Sequence, residues 1–216
     1  MLTAEARTGV ALQFDDAEQR REAATLGMWA FLATEVLFFG VLFAAYTVSR
    51  LRFPEAFAQA SRHTDLLLGG CETAVLITSS ATMSLALRGV RVGAGRAARV
   101  LLAVTALLGI AFVCIHGLEY YHEYGEHLVP GLDFSYDEAQ ARGVELFFWL
   151  YYVMTGFHVL HVLIGVVVIS LMWALVRRRR VGPDYDAPVE LTGLYWSFVD
   201  IVWIFLFPTF YLVARP

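Results

Sequence analysis

The chain has 216 residues, of which 58% are apolar and 14% aromatic, and its mean hydropathy is +0.60. These values exceed what a water-soluble domain normally shows and predict a membrane protein. The net charge of −4 is small and mixed, so it does not suggest nucleic acid as a partner.

The predicted elements are a polar arm and five apolar segments. Residues 1–24 form the arm, and residues 25–216 form one transmembrane domain. Segments long enough to span a bilayer are predicted at about 27–48, 66–88, 100–120, 144–176 and 193–213. The first segment is too long for the core of a secretory signal, and no cleavable signal is predicted. The sequence therefore predicts an all-α, polytopic membrane protein with a bundle of five transmembrane helices.

Arginine gives the expected orientation, since the chain has sixteen arginines and no lysine. Eleven of them lie in the arm, in the second connection and in the fourth connection, namely Arg7, Arg20, Arg21, Arg88, Arg91, Arg96, Arg99, Arg177, Arg178, Arg179 and Arg180. Connections rich in arginine stay in the cytoplasm. We therefore expect a cytoplasmic N-terminus and a C-terminus outside. The tetra-arginine run is interpreted as a topology anchor at anionic lipid headgroups.

The first predicted helix contains "FLATEVLFFG", which places Glu35 about 12 Å along a helix that starts at Gly27. Asp200 in the last helix lies at a similar depth, because both helices begin on the cytoplasmic side. Two carboxylates in a medium of low dielectric constant cannot both ionise cheaply, so at least one should bind a proton or a partner. Two interpretations stay open, a proton-handling role and a protonated acid that fixes helix packing.

The second and third predicted helices carry Glu72 and His116 toward their outer ends, where the two residues either pair or reach water. The connection "RGVRVGAGRAAR" between these helices is short, which predicts antiparallel neighbours. Cys71 and Cys114 lie inside apolar runs and are interpreted as small packing residues and not as a disulfide. The longest connection, His122 to Gly143, is expected on the outer side.

The fourth predicted helix contains "TGFHVLHVLIG", which places His158 and His161 on one helix face. Such spacing could present imidazoles to a haem or a metal, but only His116 is another well-placed ligand. We favour imidazoles that are hydrogen-bonded to a carboxylate or to the backbone, and no metal site is predicted. Gly156 and Gly165 should permit close helix approach. The sequence has no nucleophilic triad or phosphate-binding loop, so no catalytic residue is predicted.

Three segments resemble the signature segments of subunit III of haem-copper respiratory oxidases, namely "GMWAFLATEVLFFGVLFAAY", "YYVMTGFHVLHVLIG" and "YWSFVDIVWIFLFPTFYL". The resemblance extends from Gly27 to Tyr211 and is to the five-helix form of the family. It implies a non-catalytic subunit of a cytochrome c oxidase, without redox centres of its own, in a bacterial plasma membrane. Haem and copper would lie in partner subunits, with subunit I as the main contact and subunit II as a second. Structural phospholipid and a respiratory supercomplex would be further partners.

The resemblance also implies roles for single positions. Glu35 matches the carbodiimide-reactive carboxylate of the family, which is linked to proton uptake. A buried polar network would contain Glu72, His116, His158, His161 and Asp200. The candidates for lipid contact are Trp196, Arg177 and Arg178.

The last segment departs from the family pattern, because Tyr195 and Trp196 are followed by Ser197 where many relatives have histidine. Its ending, "FPTFYL", resembles the accessory subunit of nitric oxide reductases. Subunit III of a quinol oxidase and a nitric oxide reductase subunit are therefore kept as alternatives.

Two alternatives belong to other classes of protein. A membrane cytochrome would ligate haem through His116 and either His158 or His161. A proton-coupled carrier would use Glu35 and Asp200, but the chain lacks the internal repeats that transporters usually carry.

Overall fold

The computed structural model describes residues 17–132, 134–136 and 140–213. Their regular structure consists of six helices, α1 (Ala17–Arg52), α2 (Pro54–Ala60), α3 (Leu66–Arg91), α4 (Gly95–Gly125), α5 (Ala141–Arg177) and α6 (Ala187–Tyr211). Five of them are long and apolar enough to cross a membrane, which confirms the predicted all-α bundle with five spans. The first sixteen residues of the predicted arm, including Arg7, lie outside the described residues.

The five spanning helices contain 25 to 37 residues each. A helix needs only about 20 residues to cross the hydrocarbon core, so each of these helices extends beyond it. Helix α1 begins inside the segment assigned to the arm, and α4 continues to Gly125 instead of ending near Tyr120. The additional turn of α4 buries Glu123, which the sequence placed in a loop.

The spanning helices alternate in direction. Arg21 near the start of α1 and Arg91 at the end of α3 both contact Glu190 in the first turn of α6. These contacts define one end of the bundle, called the basic end below, which also carries the arginine run after α5. At the opposite end, Tyr46 of α1 donates a hydrogen bond to the Thr209 carbonyl of α6. Helices α3 and α4 pack as antiparallel neighbours, as their short connection predicted. That the basic end faces the cytoplasm stays a prediction.

A sixth helix, α2, which the sequence did not predict, lies between the first two spans. Its start carries two helix signals, Pro54 in the first turn and Glu55 beside it. Phe57 and Ala60 of α2 are fully buried. Gly143 admits α2 against the first turn of α5, because a Cβ there would lie 2.5 Å from the Cβ of Ala56.

The core lies among α3, α4, α5 and α6, and α1 packs at its edge. The largest fully buried side chains are mostly aromatic, and they include Trp196, Trp203, Tyr151, Tyr211, Phe112, Phe147, Phe148 and Phe210. Many apolar side chains of α1 are exposed instead, among them Leu26, Val36, Leu37, Val41 and Leu51. Cys71 and Cys114 are free thiols, which confirms that they do not form a disulfide, but both are exposed on the outer surface of the bundle and do not pack in its core.

Candidate functional site

Glu35 of α1 is joined to His161 of α5 on the side of the bundle. The Glu35 Oε2 lies 3.1 Å from the His161 Nε2. The other ring nitrogen, Nδ1, lies 2.7 Å from the Phe157 carbonyl oxygen one turn earlier in α5. Glu35 and His161 keep 18% and 12% of their side-chain surface exposed. The pair is therefore reachable from outside the bundle, although it sits in the apolar part of both helices.

The contacts of His161 restrict the hydrogen bonds that its ring can make with Glu35. A backbone carbonyl can only accept a hydrogen bond, so Nδ1 of His161 must donate to Phe157. If the imidazole is neutral, its Nε2 has only a lone pair, and the Glu35 carboxyl must donate to it. If the imidazole is charged, its Nε2 donates to an ionised Glu35. In both arrangements, one proton lies between the Glu35 carboxyl and the Nε2 of His161. An ionised Glu35 next to a neutral His161 would have no proton at this position.

Asp200 occupies a different part of the bundle from Glu35. Its side chain is buried, and its Oδ2 accepts a hydrogen bond from the Ser80 hydroxyl of α3. Its Oδ1 has no hydrogen-bond partner among the described residues. Glu35 and Asp200, which were predicted to lie at a similar depth in the membrane, therefore each have a separate partner on a neighbouring helix.

His158 contacts aromatic rings and no polar group. It is fully buried, and neither ring nitrogen has a hydrogen-bond partner among the described residues. The imidazole stacks on Trp203, with ring centroids 5.2 Å apart, and meets the edge of Phe112 at 5.5 Å. The prediction that the imidazole of His158 is hydrogen-bonded is therefore wrong. The same prediction is confirmed for His161, which contacts Glu35 and the Phe157 carbonyl.

The rings around His158 also bear on the haem-binding alternative. Phe112 and Trp203 contact His116 as well, with ring centroids 5.9 and 5.8 Å from its imidazole. Two aromatic side chains thus fill the space next to both His116 and His158. His161 is turned toward Glu35. The residues at these three positions do not fit a haem.

Glu72 and His116 pair at the end opposite the basic end. The His116 Nδ1 lies 3.2 Å from the Glu72 Oε1 and 3.7 Å from the Oε2 of Glu119, one turn later in α4. All three side chains are at most 2% exposed. The Tyr211 hydroxyl donates to the Glu119 Oε2 at 2.5 Å. Sequence reasoning missed Glu119, although its spacing of three residues from His116 in one helix could have indicated a shared face.

Trp196 lies inside the bundle and not at its surface. Its side chain is fully buried, and its indole N–H donates to the Ser79 hydroxyl at 2.9 Å. A Cβ at Gly109 or Gly165 would lie 2.8 or 2.6 Å from an atom of its ring. Trp196 therefore makes packing contacts instead of the predicted lipid contact.

Four charged side chains join three helices at the basic end. Arg91 lies 2.6 Å from Asp186 and 2.8 Å from Glu190, and Arg21 lies 3.4 and 2.5 Å from the same two acids. Burial raises the pKa of the Asp186 carboxyl, but the hydrogen bond from Arg91 and the charges of Arg21 and Arg91 lower it more. The net result is a pKa below the ordinary value, so Asp186 is ionised at neutral pH.

A cavity of about 740 Å³ lies at the basic end, between the turn that joins α3 to α4 and the turn that follows α5. Five arginines line it, namely Arg96, Arg99, Arg177, Arg179 and Arg180. The acid in its lining is Asp184, so the cavity has a strong positive charge. Arg178 is exposed next to it.

Comparisons with known proteins find relatives that are all named as oxidase subunits. The family model described as cytochrome c oxidase subunit III matches residues 9–215. Cytochrome c oxidase subunit 3 of Thermostichus vulcanus is 31% identical over 208 residues, which cover 96% of each chain. Quinol oxidase subunit 3 of Bacillus subtilis strain 168 is 28% identical over 194 residues, covering 88% of this chain and 86% of the relative. Heme-copper oxidase subunit I+III of Aeropyrum pernix is 33% identical over 193 residues, which are 86% of this chain but 22% of that longer protein.

Proposed function

The chain belongs to the cytochrome c oxidase subunit III family, and from this membership we propose that it serves a cytochrome c oxidase of a bacterial plasma membrane. In this role it takes part in aerobic electron transport as a non-catalytic subunit without redox centres. Haem and copper belong to partner subunits. The chain packs mainly against subunit I, contacts subunit II, and supports proton uptake by the catalytic core.

The observation that carries the proton-related part is the 3.1 Å contact between the Glu35 Oε2 and the His161 Nε2. The pair is partly exposed on the side of the bundle, so a partner subunit can contact it. An ionisable residue inside a membrane span is costly and commonly marks a functional site. We therefore assign Glu35 as a proton-holding group that serves the partner subunit.

Direct contact with subunit I has support from one relative. The Aeropyrum pernix protein is named as subunits I and III in one chain, and the present chain matches 22% of it. That name supports a close relation between subunits I and III. We propose the same neighbourhood for this chain as a separate subunit, with a respiratory supercomplex as a further level of assembly.

We also propose that anionic phospholipid binds at the basic end. The cavity lined by five arginines offers several guanidinium groups to one phosphate, which guanidinium binds in a bidentate manner. Clusters of arginine next to a spanning helix attract anionic headgroups by about 1 kcal/mol per charge. Arg177 lines this cavity and Arg178 is exposed beside it, so both stay candidates for lipid contact.

A quinol oxidase subunit III is the second candidate. The relative from Bacillus subtilis carries that name at 28% identity, close to the 31% of the cytochrome c oxidase relative. Both kinds of relative align with most of this chain, so the electron donor is the open part of the proposal. Relatives named for oxidases favour oxygen over nitric oxide as the acceptor.

The test compares the purified oxidase with and without this chain. Removing the chain should slow proton uptake or shorten the working life of the enzyme, and the haem content should stay unchanged. Loss of haem on removal would contradict a non-catalytic role. An optical spectrum of the purified chain gives a second criterion, because a Soret band would restore the haem-binding alternative.

The variant Glu35→Gln tests the shared proton in the same complex. We expect normal assembly, because the amide can donate to Nε2 of a neutral His161 as a protonated acid does. Carbodiimide labelling should be lost, and proton uptake should slow. The control Asp200→Asn changes an acid that is bound by Ser80 and should leave the labelling of Glu35 intact. A Glu35→Gln chain that fails to assemble would show that the ionised carboxylate is structural.

A further inference from the structure

We propose that Glu72, His116 and Glu119 form a binding site for a divalent transition-metal ion, with Zn²⁺ as the best-matched ion. One ligand atom from each residue lies within 4.8 Å of the other two. The residues come from two helices, α3 and α4, and are at most 2% exposed. This site is separate from the pair of Glu35 and His161 and does not depend on the function proposed above.

The distances within the cluster suit one ion. The His116 Nδ1 is 3.2 Å from the Glu72 Oε1 and 3.7 Å from the Glu119 Oε2. Zinc binds nitrogen and oxygen at about 2.0 to 2.2 Å, so two ligands of a tetrahedral zinc lie about 3.4 Å apart. Small side-chain movements therefore bring all three atoms to bonding distance. The three protein ligands leave a fourth position for water.

Charge gives a second reason for a cation. Two carboxylates face each other here, and among the described residues no arginine lies within salt-bridge distance of Glu72 or Glu119. The Glu72 Oε2 is buried and has no hydrogen-bond partner among these residues. Unpaired buried carboxylates are costly in a membrane. One divalent cation with a neutral His116 and two ionised acids has no net charge, so it would remove this cost.

The surroundings hold Glu119 in place. The Tyr211 hydroxyl donates to its Oε2 at 2.5 Å, and the Asp65 N–H donates to its Oε1 at 3.3 Å. Hydrogen bonds of this kind orient carboxylate ligands in metal sites. Mixed imidazole and carboxylate ligands favour zinc, manganese or iron over magnesium and calcium, which prefer oxygen alone. Glu72 lies about 9 Å along α3 from its start at Leu66, so the ion would enter from that end.

The test measures metal in the purified oxidase complex that contains this chain. We expect the wild-type complex to hold about one equivalent of zinc per chain, or to take it up from Zn²⁺ supplied alone at micromolar concentration. Glu72→Gln and His116→Gln should each lower the zinc content at least tenfold. Tyr211→Phe keeps the three ligands and should weaken zinc affinity about 10- to 100-fold. His161→Gln is the matched control, because it changes an imidazole outside the site and should retain zinc.

Two results would overturn the proposal. One is a wild-type complex that neither contains nor takes up zinc, and the other is full retention of zinc in both ligand variants. If the variants fail to assemble, zinc X-ray absorption of the wild type decides the question. A shell of nitrogen and oxygen at about 2.0 to 2.1 Å supports the site, and a sulfur shell at about 2.3 Å refutes it.

Discussion

At the scale of single residues, His116 and His158 are buried imidazoles in different surroundings. His116 faces two carboxylates, and a neighbouring tyrosine holds one of them. His158 is equally buried but contacts only aromatic rings. A buried polar group without a hydrogen bond costs about 1 to 3 kcal/mol in proteins. The polar atoms of His158 therefore weaken the bundle, whereas the Nδ1 of His116 pairs with Glu72.

We predict opposite effects for the same change at these two positions. His158→Phe keeps an aromatic ring against Trp203 and removes two unpaired nitrogens, so it should raise stability by about 1 to 3 kcal/mol. His116→Phe leaves Glu72 without its hydrogen bond and should destabilise by a similar amount. Thermal unfolding of the complex in detergent measures both. A destabilised His158→Phe would show that its nitrogens have a polar partner in the complex.

Several residues of these clusters could be selected from the sequence, but their partners could not. An acid or a histidine in an apolar run stands out, and this identified Glu35, Glu72 and Asp200. Glu119 was missed because it lies near the predicted end of a span, where an acid normally reaches water. The partners Ser80 and Tyr211 lie on other helices, and their residue types are common in membrane spans. Only the packing of the helices brings them together.

At the scale of helices, α4, α5 and α6 meet around one indole. Trp196 of α6 lies between Gly109 of α4 and Gly165 of α5, and a Cβ at either glycine would lie within 2.8 Å of its ring. Small residues let helices approach closely in membranes, where lipid is as apolar as the helix faces. The sequence predicted this role for Gly156 and Gly165. At Gly156 the nearest side-chain atom would be 3.9 Å from a Cβ, so that position lacks such a contact.

We predict that Gly165→Ala destabilises the bundle by about 1 to 3 kcal/mol, because the new methyl group would lie 2.6 Å from the Trp196 ring. Gly156→Ala is a matched control nine residues earlier in the same helix and should leave stability unchanged within about 0.5 kcal/mol. The midpoint of thermal unfolding in detergent distinguishes them. Trp196→Phe should restore part of the loss in the Gly165→Ala chain. Equal effects of the two alanine variants would contradict this role of the indole.

At the scale of the whole molecule, polar contacts help to fix the position of α1. Many of its apolar side chains are exposed, and lipid solvates such a face as well as a helix does. Among the described residues, Arg21 at the basic end, Glu35 in the middle and Tyr46 at the opposite end join it to α5 and α6 by polar contacts. Apolar segments predicted the helix itself. Its place in the bundle could not be predicted, because these contacts join residues more than 120 positions apart.

The ion pairs at the basic end give a prediction about the mobility of α1. Asp186→Asn removes a carboxylate that Arg21 and Arg91 share, so the start of α1 should become more mobile. The arginines are about half exposed, and exposed pairs contribute only about 0.2 to 1 kcal/mol each. Hydrogen exchange of the first turns of α1 should therefore accelerate by roughly fivefold at low salt and less at high salt. Asp184→Asn is the control, since Asp184 is exposed and lines the neighbouring cavity.

The comparison of wild type with Asp186→Asn also predicts a pH dependence of stability. The pKa of Asp186 lies below its ordinary value, because the hydrogen bond from Arg91 and the two arginine charges outweigh the opposing effect of burial. A carboxyl of this kind stabilises the folded chain above the unfolded-state pKa of about 3.9, and this contribution is lost as the pH falls through the lower folded-state pKa. The difference in the free energy of unfolding between wild type and Asp186→Asn should therefore stay constant from about pH 8 to about pH 5. It should shrink only in stronger acid. A difference that disappears near pH 6 would instead indicate control by a histidine.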